Sequence, residues 1–262
     1  MKPNLVLCEL GPTGIDAAES FSPFCLKVHR ALKAARLHYL SLHADDPAEF
    51  KDLNPAGQVP VLLVDDVPFS DSPKILKKID ELAPGRISPT DPKLRAEAAL
   101  WQALADTTLN GYLAAARWAD DRNWGAVKLA FFGHMPALVR AMVAPSVRRK
   151  MIAKLEARDV TRHGLAVTWR KFEELLDSLE LRAPANGFWV GDMLSFADFA
   201  LYGQLAALRT PLTLWQSAKI AERPRLSAYL DRVDGATRES RAFQPAFVPT
   251  RTVLQPATTP LF

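Results

Sequence analysis

The pair Ser22-Pro23 fixes where a helix must begin, directly after one short apolar segment. Proline has no backbone N–H and a φ already near helical values, so it fits the first turn of a helix and is disruptive further in. Ser22 then falls at the N-cap, where a hydroxyl can satisfy one of the free N–H groups of the first turn. Behind it Cys25, Val28, Leu32 and Ala35 recur at helical spacing as an apolar stripe, while Lys27, Arg30, Lys33 and Arg36 take the other faces. A helix start collects free amides and the positive end of the helix dipole, which suits an anion. Ser22 and Cys25 also have the spacing of a C-x-x-C redox pair with serine in the first place. The pattern predicts a site that binds another molecule's thiolate rather than supplying its own.

Residues 4–10 (NLVLCEL) read as a short buried strand with Cys8 in the core, and 38–43 (HYLSLH) as an alternating second strand. The run 54–64 (NPAGQVPVLLV) is a turn followed by an apolar strand. A proline within a strand removes a ladder hydrogen bond, so Pro60 is expected at the strand's first residue or at a cis bond that turns the backbone outward. Asp65-Asp66 makes a turn, 67–69 a return strand, and Ser70-Asp71-Ser72-Pro73 the start of a helix running to about residue 82. Residues 84–92 (PGRISPTDP) have linker composition. From Lys93 onward Ala, Leu, Lys, Arg and Glu dominate, and helices are predicted over 91–118, 124–144, 146–158, 165–181, 195–207 and 223–233. No internal repeat is visible.

The chain has 262 residues, of which 48% are hydrophobic, enough for one large domain or two moderate ones with packed cores. Two cysteines do not make a disulfide framework and fit a reducing compartment, so a cytoplasmic location is expected. The segment 5–10 is too short for a signal peptide and contains Glu9, and no run reaches the ~18 apolar residues of a membrane span. A formal charge of +4 and a pI near 9.1 are mildly basic. The densest basic run, Arg148, Arg149 and Lys150 with Lys154 and Arg158, reads as a solvated helix face. No aromatic interleaving accompanies it, so no nucleic-acid partner is expected.

The order strand, helix, strand, hairpin, helix is the thioredoxin-like arrangement. The residues that carry it go further. Ser22-Pro23-Phe24-Cys25, the run 53–62 (LNPAGQVPVL) and Asp71-Ser72 together resemble the N-terminal domain of cytosolic glutathione S-transferases. Far away, 191–198 (GDMLSFAD) resembles the capping box near the end of that family's helical domain, with Ser195 and Asp198 in S-x-x-D spacing. The resemblance spans roughly residues 4–234. It implies an α/β thioredoxin-like N-terminal domain followed by an all-α helical C-terminal domain: 1–83 binding glutathione, 84–92 as linker, 93–241 helical, and 242–262 as an extended proline-containing tail.

Carried over residue by residue, the resemblance implies that Val59 pairs its backbone with the cysteinyl unit of glutathione. Pro60 sets the exposed geometry and Gln58 reaches the peptide. Ser72 takes the γ-glutamyl carboxylate and Asp71 turns towards the amine. Many family members have Glu or Gln where this chain has the shorter Asp71. Helix capping by Asp71 and Ser72, and a strand merely opened by Pro60, are the plainer alternatives. The implied co-substrate is glutathione, with no metal, and the implied assembly is a homodimer. Because glutathione is anionic, a basic cleft would help it bind.

The expected chemistry is conjugation of glutathione to a hydrophobic electrophile. A free thiol has a pKa of about 8.5, and lowering it by one to two units needs ~1.4–2.7 kcal/mol. A helix N-terminus supplies ~0.3–1 kcal/mol and a charge-assisted hydrogen bond ~1.5–3 kcal/mol. Ser22 would therefore act as donor, not nucleophile; its plain alternative is N-capping alone. Cys25 lies on the apolar stripe and reads either as a small buried hydrophobe or as the thiol of a glutathione-dependent thiol-disulfide reductase. Trp101, Asp106, Leu109, Asn110 and Tyr112 are placed by position as walls of a second-substrate pocket, and the loop 10–21 could shape its entrance.

Two features depart from the pattern. Residues 22–27 (SPFCLK) with Arg162-His163 also resemble metaxin-like relatives, which would make the chain a non-catalytic interaction protein. The tail after Ala242 carries spaced prolines that forbid a regular helix or a central strand. Its Phe243, Phe247, Val248, Leu254 and Phe262 suggest that it packs over the helical domain or a partner subunit.

Overall fold

The computed structural model describes residues 3–11, 13–15, 18–238 and 247–248. β1 (Leu5–Leu10) lies between β2 (Leu40–Ala44), which runs parallel to it, and β3 (Val61–Val64), which runs antiparallel. β4 (Val67–Ser70) pairs antiparallel with β3. The two-residue turn takes Asp65 and Asp66 into the left-handed region, at φ of 49° and 65°, the conformation that closes a tight hairpin. Side chains alternate across β1. Leu5 and Leu7 face α1 (Pro23–Ala34) and α2 (Ser72–Leu82), packing on Val28, Leu32, Ile75 and Ile79. Val6 and Cys8 face the other way, onto Leu42, Phe50 and Val61. Cys8 is buried as expected, and burial beside Glu9 pushes its thiol up to about 12.

The tail expectation lies outside the described residues except at β5 (Phe247–Val248). There the backbone pairs parallel with Ser41 and Leu42 on the free edge of β2, so this part of the chain meets the sheet rather than the helices.

After the linker, helix runs unbroken from Pro92 to Ala119 in alternating forms. α3 (Pro92–Leu104) passes into a π turn (Ala105–Leu109), then α4 (Asn110–Ala114) and a second π turn (Ala115–Ala119). α5 (Asp121–Phe132) and α6 (Ala137–Ala157) follow. The sequence placed the break between them at Pro145. It falls instead at Gly133–Pro136, and Pro145 sits inside α6 on its exposed side, where water can serve the carbonyl the proline leaves unpaired. α7 (Leu165–Arg182), α8 (Phe196–Leu208), α9 (Leu214–Ala221) and α10 (Pro224–Thr237) complete the helical half. α9 was not anticipated.

α8 is buried on nearly every face, as a helix apolar all round must be, and it packs along both α1 and α3. Gly203 makes the first contact possible. A Cβ there would stand 2.6 Å from the carbonyl oxygen of Pro23 and 3.3 Å from Lys27 Cβ. The helical half thus bears directly on the first turn of α1.

Candidate active site

That first turn is built as its residues require. Ser22 has extended backbone at the N-cap, and its Oγ accepts the Cys25 N–H at 3.3 Å. The Ser22 N–H donates to Ser20 Oγ at 3.3 Å. The Ser22 hydroxyl also lies within hydrogen-bond reach of the Cys25 sulfur, so its proton can turn either inward to that thiol or outward to an incoming anion. Ser22 is part-buried and stands two residues ahead of Phe24, the α1 residue that lines the neighbouring cleft. Cys25 points away from solvent and is fully buried. Burial and the nearby Glu9 carboxylate raise its thiol far above the ordinary range, so it offers no thiolate in this conformation.

The cleft holds about 380 Å³. One wall is the turn 54–60. Asn54 braces it by donating from Nδ2 to the Gln58 carbonyl at 2.8 Å and accepting the Ala56 N–H at 3.2 Å. Gln58, Val59 and Pro60 face the cleft, and the Val59-Pro60 bond is cis. Val59 lies ahead of the ladder, whose rungs begin at Val61 opposite Cys8 and Ser70. The second wall is the head of α2. Asp71 has φ 75° and ψ 111°, and its carboxylate makes no capping bond. A non-glycine residue held in such backbone costs about 1–3 kcal/mol, which is why outliers of this kind gather at ligand sites. Ser72 follows, buried at the mouth of the helix.

The floor comes from across the molecule. Asp106, in the first π turn, lines the cleft and receives Lys27 Nζ of α1 at 2.7 Å. Lys27 is only 1% exposed. Burial outweighs attraction for both partners, lowering the Lys27 pKa and raising that of Asp106. Asp106 Oδ1 is buried without a hydrogen-bond partner. The charged side chains of the cleft are thus the acids Asp71 and Asp106 with Lys27 beneath, rather than a basic lining. In the basic run, Arg148 ties α6 to the carbonyl of Trp118 and to Asp121.

The five expected wall residues separate by helix face. Trp101, Leu109 and Tyr112 share the inward face and pack into the helical core. Trp101 stands edge-on to Trp189 at 5.2 Å and Tyr112 lies 5.4 Å from Phe172. Asn110 turns to α8, donating to Gln204 Oε1 at 3.4 Å. Only Asp106 of the five reaches the cleft. Near Ser22 stands an aromatic group the sequence reading missed. Phe21 lies 4.9 Å from Phe131, which lies 5.4 Å from Trp118. The only signal in the sequence is the run of aromatics Trp118, Trp124, Phe131 and Phe132.

A second polar cluster lies under the site. Glu9 at the end of β1 is fully buried and accepts from His29 Nε2 at 2.8 Å and from His43 Nε2 at 3.2 Å, while His29 Nδ1 meets the Tyr39 hydroxyl at 2.7 Å. Burial alone would raise the Glu9 carboxyl, but the two histidines bring it down to about 2.

Comparison with protein families matches residues 21–82 to the glutathione S-transferase N-terminal domain and residues 136–232 to the glutathione S-transferase C-terminal domain. Comparison with curated proteins gives no significant match. Among solved structures the chain is similar to the beta-etherase LigF from Sphingobium sp. strain SYK-6, at 22% identity and a TM-score of 0.62 over 88% of this chain and 95% of that one. It is also similar to glutathione transferase GSTFuA3 from Phanerochaete chrysosporium, at 17% identity and a TM-score of 0.64 over 92% and 99%. A glutathione S-transferase from Methylobacillus flagellatus KT, with glutathione bound, gives 19% identity and a TM-score of 0.56 over 90% and 100%.

Proposed function

This chain belongs to the glutathione S-transferase family, and we propose that it is a serine-type glutathione transferase. One observation supports this above the others. The Ser22 hydroxyl stands at the N-cap of α1, two residues ahead of Phe24 in the cleft wall, and from there it can turn its proton outward to a thiolate that enters. In this reading the cysteinyl unit of glutathione pairs with the Val59 backbone as an added strand would. The γ-glutamyl carboxylate meets Ser72 and the free amides of α2, and its amine meets the unbonded carboxylate of Asp71 and the open Oδ1 of Asp106. The thiol proton leaves to solvent, and the sulfur forms a bond to an electrophilic carbon. The leaving group, a halide or the oxygen side of an activated ether, departs with its electron pair. Phe21, Trp118 and Phe131 form the apolar side on which the acceptor rests. An ether acceptor is in keeping with the beta-etherase named among the similar structures.

The test is an ultraviolet pH titration of the thiolate in the glutathione complex. The wild type should show a thiol pKa clearly below the free value, and Ser22→Ala should raise it by about one to two units, the worth of one charge-assisted hydrogen bond. Cys25→Ser should leave it unchanged. A bound thiol indifferent to Ser22 refutes the serine role, and loss of activity on Cys25→Ser would turn the reading to thiol–disulfide exchange.

We place the protein in a reducing, glutathione-bearing compartment, in keeping with two buried free cysteines. Among the described residues no helix is long and apolar enough to cross a membrane. Pairing of two copies is expected through α3, whose outer face exposes Ala96, Ala99, Leu100 and Ala103, with Leu100 73% exposed. Light scattering should give twice the chain mass of 29.0 kDa for the wild type and the single mass for Leu100→Glu. A monomeric wild type removes this assembly.

A further inference from the structure

Arg117 is buried, 6% exposed, at the end of the long helix, in the π turn Ala115–Ala119. Its Nη1 donates to the carbonyl oxygen of Phe21 at 2.6 Å, the residue just before the Ser22 N-cap. Its Nε is buried with no hydrogen-bond partner, and its Cζ stands 5.7 Å from the centre of the Phe131 ring. Among the described residues no carboxylate forms an ion pair with it. The acid nearest in sequence, Asp120, is held by Arg122 and Gln216. A guanidinium taken out of water without a counter-ion is costly, and such groups are ordinarily paired. Burial alone lowers its pKa to about 10, which leaves it charged at neutral pH.

The other charges around the first turn of α1 are already matched or lie on the far side. Lys27 is spent on Asp106, Asp71 sits at the head of α2, and Glu9 beneath Cys25 is shared by two histidines. Among the described residues around this turn Arg117 is the cation without an ion-pair partner, and its contact is with the peptide that carries Ser22.

We propose that Arg117 is a positioning residue for the thiolate site: it fixes the Phe21–Ser22 peptide and supplies the positive charge that, with the α1 amides, holds glutathione sulfur as thiolate. The inference rests on the reading of Ser22 as thiolate donor. Coulomb attraction in a partly dry site acts over a peptide's length, and a positive charge there favours the ionised thiol. The tie also runs from the helical half to the N-cap, so the acceptor side and the thiolate side share one anchor.

The thiol titration of the glutathione complex separates these roles. Arg117→Met keeps the length and apolar stem that pack on Phe131 but removes the charge. It should raise the bound thiol pKa by about one unit, a roughly tenfold loss of thiolate below the pKa. Arg117→Lys keeps the charge and one donor and should stay within a few tenths of a unit of the wild type. Binding of S-methylglutathione, which has no thiol to ionise, should be retained by both variants and shows that the cleft is folded. An unchanged thiol pKa in Arg117→Met, or equal shifts in the Met and Lys variants, overturns the charge role while leaving Ser22 standing. A wild-type thiol at its free value overturns both readings together.

Discussion

Asp198→Ala is expected to lower the unfolding free energy by about 3–5 kcal/mol, the range for removing one member of a buried charged network. The carboxylate is fully buried near the start of α8. Its Oδ1 accepts the Trp189 N–H at 2.7 Å and the Tyr229 hydroxyl at 2.8 Å. Its Oδ2 accepts the Ser195 N–H and the Ser195 hydroxyl, each at 2.8 Å. Burial pushes the carboxyl up, and the four donors work against that. Alanine would strand all four, and each buried unmet donor costs ~1–3 kcal/mol, though not additively. Asp198→Asn keeps one acceptor oxygen but turns an N–H₂ toward two donors, so it should lose about half as much. Urea unfolding measures both. A loss below about 1 kcal/mol for the alanine variant would show that water replaces the carboxylate freely. The effect should reach the site, because Gly203 on the same helix bears on Pro23. Glutathione affinity should therefore fall in step with stability.

What the sequence shows of this molecule is what local rules encode. Ser22-Pro23 marks the start of α1 because capping and a fixed φ act within one turn. The Ser195-x-x-Asp198 spacing marks the start of α8 for the same reason. Gln58, Val59, Pro60, Asp71 and Ser72 meet at one cleft because the hairpin between them is short. The opposite side of the site was hidden, since it is made by contacts between distant positions. Lys27 and Asp106 are 79 residues apart, and Arg117 and Phe21 are 96 apart. Helical spacing alone could not choose between the face carrying Trp101, Leu109 and Tyr112 and the face carrying Asp106, because which face meets the helical core and which meets α1 is set by partners far away in sequence. Pro145 misled for a related reason. A proline inside a helix costs a hydrogen bond and a clash with the preceding turn, but that cost need not end the helix where the orphaned carbonyl faces water, and exposure is not written in the residue.

Lys27→Met is the second change expected to act strongly, and it sets stability against function. The variant leaves Asp106 part-buried without its cation, and losing one partner of a buried ion pair costs about 3–5 kcal/mol. Asp106→Leu strands Lys27, which is more deeply buried than its partner, and should cost at least as much. The double variant, Met with Leu, removes both charges and fills the space with apolar side chains of similar size. It should return to within about 1 kcal/mol of the wild type, because desolvating two ions cancels most of what their attraction gains. Denaturant unfolding of the four proteins closes this cycle. Two costly single changes with a stable double variant are the expected result, and two mild single changes would mean that solvent reaches the pair. Glutathione binding should not recover with the fold. The double variant lacks the Asp106 carboxylate that faces the ligand's amine in the proposed complex. Its affinity should therefore be weaker by about tenfold, or ~1.4 kcal/mol. A stable double variant that binds glutathione as the wild type does would show that this pair serves the fold alone. One that is stable but weak would show that the ion pair is kept in spite of its cost, to hold a carboxylate at the floor of the cleft.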